Sequence, residues 1–357
     1  MDNNDLLSIL SQVTPGTRLR EGIYNILDAG MGALIVVGMG EEVSKMIDGG
    51  FQINCSYTPE KIYELGKMDG AIIVDNKIEN ILYANVHLQP GMEYTTNESG
   101  TRHRTAQRVA KQSDLLVIAI SERKKVVTLY KGEMRYRLKN MYEVMTEASQ
   151  ALKTLERYRY VLDKSLGNLT ILELDDLVTL YEVTSVLQRF EMVRRIMREL
   201  ENYVIELGTE GRLINLQVED LIQGVKEEKH NFIRDYYNGD SNGEKGELEI
   251  SIINDELEKL SDSELLELEK LSYILGYGKT YSVLDKRVSP KGYRVLDKIT
   301  KLNKKDIEKL ISIYKDLSTI QVTSMEDLIE VKGISKFKVK AIQTGLKRLK
   351  LTVELEK

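Results

Sequence analysis

Up to about residue 140 the apolar positions fall in short, nearly continuous runs, and after Met141 they recur at three- and four-residue steps. The runs predict strands at Met31–Val37, Ala71–Val74, Asn80–Leu88, Leu115–Ser121, Lys125–Lys131 and Glu133–Leu138. Between them, residues 1–28 read as helices broken at Pro15-Gly16, with Leu19, Ile23 and Ile26 on one face. A further helix starts at Thr58-Pro59, where Thr caps and Pro takes the first helical position. Helices alternating with strands and a closing hairpin run predict an α/β domain on a mixed sheet, residues 1–140.

The later rhythm predicts a helical spine over 141–285. Leu152, Leu155, Leu162, Leu180, Val183 and Leu187 mark the buried faces, with breaks at Gly167-Asn168 and at 207–211. Its acidic residues and His230 read as surface. The run 238–246, rich in Gly, Asn and Ser, reads as a loop, followed by an acidic helix over 256–271. Residues 286–357 are expected to form a small domain of short helices at 295–302, 304–314, 324–330 and 337–349.

Charge changes this picture by separating the tail from the body. The chain of 357 residues carries 51 Lys+Arg and 56 Asp+Glu, a net of −5. Residues 286–357 hold 18 basic and 9 acidic side chains, net +9, which leaves −14 for the rest. A basic tail on an acidic body points to a polyanion partner for the tail. Cys55 is the one cysteine, which excludes an intrachain disulfide and a cysteine-rich zinc site and suits a reducing cytoplasm. No run has the length and apolarity of a membrane span or signal peptide.

Two runs carry candidate chemistry. Asp69-Gly70 sits in a turn at the start of the Ala71 strand and delivers a carboxylate to the strand edge. Thr101-Arg102-His103-Arg104-Thr105 follows a turn-rich stretch and opens a helix burying Ala106, Val109 and Ala110. Thr101 is the expected cap, while the helix amides, Arg102 and Arg104 suit a polyphosphate. A carboxylate beside an anion site is equipment for phosphoryl or nucleotidyl transfer. Alone, an Asp-Gly dipeptide is usually only a turn, and Arg-His-Arg usually a solvated face.

Asp69-Gly70-Ala71 followed by Arg102-His103-Arg104 resembles the paired motifs of diadenylate cyclase domains, and the likeness extends along the chain, weakest between 171 and 285. The resemblance implies that two ATP become cyclic di-AMP and two pyrophosphates. It implies that Asp69 is catalytic, holding Mg²⁺ or Mn²⁺ with His103, and that Gly70, Leu88, Thr101, Arg102, His103, Arg104 and Thr105 line the ATP site. Ser121, ending its strand, is a further candidate contact or a structural residue, and His87 is expected to pack in the core. The lack of a span separates the chain from membrane-anchored cyclases. One polypeptide has one motif pair, so two domains must meet in a two-fold dimer, and the family implies an octamer.

Val331–Lys336 resembles a helix-hairpin-helix turn. Gly333, Ile334 and Ser335 would bring backbone amides to a phosphate, with Lys336, Lys338 and Lys340 alongside, although Ser335 stands where a second Gly is usual. Such contacts carry no base information, so branched or junction DNA is the expected target, acting on the cyclase as a regulator. Two other classes fit parts of the pattern: a DNA-binding scaffold with a non-catalytic nucleotide site, and a metal-dependent nuclease or nucleotidyltransferase acting on DNA. The second requires a carboxylate cluster for two metals, and only Asp69 is well placed.

Overall fold

The computed structural model describes residues 3–239, 243–331 and 333–355. The chain divides into two compact units, residues 1–149 with 201–215, and residues 150–200 with 216–357.

The first unit runs α1 (Asn3–Gln12), α2 (Arg18–Asp28), β1 (Ala33–Val37), α3 (Glu41–Met46), β2 (Ile47–Asp48), β3 (Phe51–Ser56), α4 (Pro59–Leu65), β4 (Ala71–Val74), β5 (Asn80–Leu88), α5 (Thr101–Ser113), β6 (Leu116–Ser121), β7 (Val126–Lys131) and β8 (Met134–Arg137). The sheet order is β2-β5-β4-β1-β6-β7-β8, with β3 also on β5. Among the described residues only β1 and β4 pair in parallel, so the sheet is mixed. Strand β1 is buried on both faces because it divides two cores. Ile35 and Val37 pack with Leu19, Ile23, Ile26 and Ile62 from α2 and α4. Leu34 and Val36 pack with Val43, Met46, Ala106 and Val109 from α3 and α5.

The register brings several chain positions to one sheet edge. Ala71 at the start of β4 pairs with Leu34 in parallel and with Val86 near the end of β5. Ala33 at the start of β1 pairs with Ile120 near the end of β6, and Ser121 pairs with Val126 at the start of β7. The starts of β1, β4 and β7 and the ends of β5 and β6 therefore share one edge. Strand β5 bulges beside this edge: Asn85 has φ +53° and the β4–β5 register shifts there.

Helices α6 (Met141–Leu174), α7 (Leu180–Leu207) and α8 (Arg212–Ile222) contribute to both units. The second unit adds α9 (Val225–Tyr236), α10 (Gly243–Lys259), α11 (Asp262–Leu265), α12 (Leu268–Ile274), α13 (Tyr293–Asp297), α14 (Lys304–Tyr314), α15 (Leu317–Val322), α16 (Met325–Glu330) and α17 (Lys336–Leu355). Helix α6 is unbroken through Gly167-Asn168, where a break was expected, because Leu166 and Leu169 on either side are buried and hold the turn in place. Of the expected loop 238–246, Gly243–Gly246 already belong to α10, while residues 240–242 lie outside the described residues. The acidic helix expected at 256–271 is three helices, because Ser261 caps a new one with a capping box. The helix expected at 295–302 is the short α13, and α15 was not anticipated.

The acidic residues of the spine are not all at the surface. Glu173, Glu191 and Asp235 are buried, each with a compensating partner. The Asp235 carboxylate accepts the N–H groups of Gly292, Tyr293 and Arg294 at 2.7, 2.6 and 3.0 Å, capping α13 from another helix. Burial, aided by nearby Glu173, pushes that carboxyl up to about 7 in spite of these donors. The buried Arg294 guanidinium donates to Glu173 and to Thr170, and Tyr236 donates its hydroxyl to Glu173 at 2.7 Å. Lys229 pairs with Glu191 at 2.5 Å. Backbone bonds from Leu180 to Lys286 and from Val288 to Val178 fasten the same C-terminal segment to the start of α7.

Candidate functional site

Gly70 is required by its surroundings. Its φ is +90°, and a Cβ there would stand 2.8 Å from the Asn85 and Val86 backbone at the β5 bulge. The turn thus closes tightly against β5 and leaves Asp69 exposed at the sheet edge, with no hydrogen-bond or ion-pair partner among the described residues. At the end of β5, Leu88 is buried in the α5-side core and pairs with Ile47 of β2, so its side chain is spent on packing. Its neighbour His87 is exposed, contrary to the expectation of a core residue, because alternation in β5 turns it outward where Leu88 turns inward.

Helix α5 begins at Thr101, and its cap is Gly100, whose backbone is extended and which offers no side chain. Thr101 is therefore the first helical residue and not the expected cap. The first-turn amides lack a side-chain acceptor, which is the condition for receiving an anion. Arg102 reaches the sheet edge: a Cβ on Gly32 would lie 2.2 Å from its Nη1 and 3.1 Å from the Ile120 carbonyl. Arg102 and Arg104 have no carboxylate partner among the described residues, Arg104 and Thr101 are exposed, and Thr105 is half-buried. The Ser121 hydroxyl accepts the Lys124 N–H at 3.3 Å and closes the β6–β7 turn on the same edge.

His103 is half-buried, edge-on to Tyr130 at 6.3 Å between ring centroids. Burial holds its imidazole below the ordinary value, against the pull of the Glu98 carboxylate, so the ring is neutral near pH 7. Glu98 accepts the Tyr130 hydroxyl at 2.9 Å and Arg135 Nε at 2.5 Å. Burial pushes the Glu98 carboxyl up, but these two donors outweigh it and leave it below its usual range.

Beside His103 opens a cavity of about 640 Å³ lined by Glu98, Ser121, Arg123, Lys124, Arg135 and Arg137. Four cations face one carboxylate there. Sequence reasoning missed Arg123, Lys124, Arg135 and Arg137. The signal was present as the basic hairpin following Ser121, which reads equally well as a solvated turn. Asp69, Gly70, Leu88, Arg102 and Ser121 thus come to one sheet edge from four separate segments. Among the described residues no three His, Cys, Asp or Glu side chains gather as a metal-binding group. Asp69, with His103 as the expected second ligand, therefore suits an ion such as Mg²⁺ that completes its shell with phosphate oxygens and water.

In the second unit, α16 ends at Glu330, Gly333 has φ +97°, and α17 starts at Lys336. Ile334 is buried, packs in the core of α13–α17 and donates its N–H to the Val331 carbonyl at 2.9 Å, so neither its side chain nor its amide faces outward as the sequence reading expected. Ser335 accepts the Lys338 N–H at 3.4 Å in the manner of a helix cap. Lys338 Nζ lies 2.7 Å from buried Asp306, so its charge is engaged internally, whereas Lys336 and Lys340 are exposed. Lys309, not singled out by the sequence, stands beside the turn: its Nζ would be 2.9 Å from a Cβ on Gly333.

A mixed sheet that brings an uncapped helix start, the Asp69 carboxylate and guanidiniums with no carboxylate partner among the described residues to one edge suits a nucleotide-binding domain. Residues 20–135 match the family described as DisA bacterial checkpoint controller nucleotide-binding, and residues 138–284 match the DisA bacterial checkpoint controller linker region. The chain is 55% identical over 357 residues to the DNA integrity scanning protein DisA of Fusobacterium nucleatum subsp. nucleatum, covering 100% of both chains. It is 44% identical over 356 residues to that of Clostridium perfringens, covering 99% of this chain and 98% of the relative, and 43% identical over 355 residues to that of Clostridium tetani, covering 99% and 96%. The chain belongs to the DNA integrity scanning protein DisA family. Among the described residues no helix is long and apolar enough to cross a membrane.

Proposed function

We propose that this chain is a cytoplasmic diadenylate cyclase that condenses two ATP into cyclic di-AMP and two pyrophosphates, regulated by branched DNA. The observation that carries the reading is the meeting of Asp69, Gly70, Arg102 and Ser121 on one sheet edge, beside a basic cleft. In this reading the chain has three parts: cyclase 1–140, spine 141–285 and DNA-binding hairpin domain 286–357.

The uncapped amides of α5 with Arg102 and Arg104 hold the triphosphate, and neutral His103 and Thr105 flank it. The Gly70 turn brings the backbone close to the nucleotide, and the backbone at Leu88 borders the adenine. Asp69 orients the 3′-hydroxyl and would hold Mg²⁺ or Mn²⁺, which when bound neutralises phosphate charge and acidifies the hydroxyl. Each 3′-hydroxyl attacks the α-phosphate of the other nucleotide in line with the departing pyrophosphate. A chain with a single such carboxylate holds half of the reaction, so two cyclase domains face each other in a dimer, and dimers join into an octamer. Amides of Gly333 and Ser335 with Lys336 and Lys340 grip DNA phosphates, Ile334 anchors the turn in the core, and Lys338 holds the hairpin against Asp306.

The test is incubation with ATP and Mg²⁺ or Mn²⁺, with and without junction DNA, and identification of the product by mass. Cyclic di-AMP is expected, in lower yield with the DNA. Asp69→Asn is expected to abolish it while leaving the melting curve unchanged, since the side chain is exposed and unpartnered. Product formation by the Asn variant would remove Asp69 from the mechanism. DNA binding with no turnover of ATP under any condition would instead establish a scaffold with a silent nucleotide site.

A further inference from the structure

In the second unit, α6 and α7 border a cavity of about 690 Å³ that the cyclase reading does not use. Lys153, Arg157 and Tyr158 line it from α6, and Arg189 and Met192 line it from α7. None of the three cations has a carboxylate or hydrogen-bond partner among the described residues. The contrast with their neighbours is direct: on the same two helices Arg159 pairs with Asp163, Arg194 with Glu191, Arg195 with Asp262 and Arg198 with Glu258. Three unpaired cations that share one cleft repel one another, and an acidic body with carboxylates to spare has supplied them none.

Lys153 and Arg157 lie one helical turn apart, and the lined stretch of α6 from Lys153 to Val161 spans about 12 Å at 1.5 Å per residue. A cavity of this size is in the range of small-molecule sites. The cations stand on both walls of the cleft, which suits an anion that enters it and not a rod laid across one exposed stripe. Guanidinium forks on opposite walls match phosphate oxygens bidentately. The Tyr158 ring and Met192 add a flat, polarisable surface between the charges.

We propose that this cleft is a second ligand site that binds an oligophosphate, either free or attached to a nucleoside. Arg157 and Arg189 clasp the phosphates from opposite walls, with Lys153 at one end, and the Tyr158 ring lies against the rest of the ligand. The site is distinct from the α5 edge and does not depend on the reading of that edge.

The chain contains no tryptophan, so Tyr158→Trp in the full-length protein places a single indole in the cleft. Inorganic tripolyphosphate and a non-hydrolysable ATP analogue are titrated separately against its fluorescence. A saturable change is expected, with half-saturation raised at least tenfold by Arg157→Gln with Arg189→Gln and left in place by Arg102→Ala. A response to tripolyphosphate assigns the free oligophosphate, and a response to the analogue alone assigns a nucleoside-bearing one. Three outcomes overturn the proposal: silence to both probes, a response that survives the double substitution, and a response abolished by Arg102→Ala. If the variants fold poorly, hydrogen exchange on the unsubstituted chain replaces them. Protection of 150–161 and 185–192 by tripolyphosphate or by the ATP analogue is then expected, and unchanged exchange there with both overturns the site.

Discussion

His103 shows how a single side chain couples the nucleotide edge to pH. Burial lowers its pKa in the fold, whereas the unfolded chain takes up the proton near the ordinary value of about 6.5. Between the two values the unfolded state binds more protons, so stability is full above about 6.5 and is lost as pH falls through the folded pKa. Urea denaturation at pH 7.5 and 5.5 is expected to give a smaller drop for His103→Gln than for the native chain, and NMR titration should place the His103 midpoint below the ordinary imidazole value. The residues were readable to different degrees. Asp69-Gly70 and Arg102-His103-Arg104 stood out because their spacing around a strand and a helix start is distinctive. Glu98, Arg135 and Arg137 did not, because their meaning comes from β7 and β8 folding back beside α5, which is a long-range event. The buried acids of the spine were missed for the same reason: nothing local distinguishes Glu173 from a solvated glutamate.

At the level of elements, α5 is positioned by the loop that precedes it. Gly91 N–H bonds to Gln112, Arg108 to the Tyr94 carbonyl and Thr96 to Gln107, so residues 91–96 are tied along the helix they introduce. Glu98 then fastens the end of the loop to β7 and β8 through Tyr130 and Arg135. Glu98→Ala leaves the part-buried Tyr130 hydroxyl without its acceptor and is expected to cost about 1–3 kcal/mol in chemical denaturation. It also removes the carboxylate that opposes the lowering of the His103 pKa, so the His103 midpoint should fall further. The elements best read from the sequence were β4, β5 and α5, whose apolar periodicity is dictated by burial on known faces. Residues 41–56 were the least legible: α3 has six residues, β2 has two, and β3 is largely exposed, so none has enough buried surface to imprint a pattern.

For the whole molecule, the proposed half-site per chain would make catalysis a matter of concentration. Specific activity is expected to fall on dilution in step with the dimer fraction measured by analytical ultracentrifugation, and constant activity in a purely monomeric sample would contradict the paired mechanism. The basic tail looked separable in sequence because its charge changes sign near Lys286, yet charge reports surface and not the seams of a core. Arg294 on Glu173 and the Asp235 cap on α13 mean that the last seventy residues are no portable cassette. Spliced alone onto a foreign carrier, they would bring a naked guanidinium out of its socket and leave α13 without its anchor. Such a fusion should be poorly soluble, whereas one that begins upstream at α6 and so includes Glu173, Asp235 and Arg294 together should express as a folded module. On the reading that the tail grips DNA, the smallest transplantable binding part is therefore larger than the contacting surface itself.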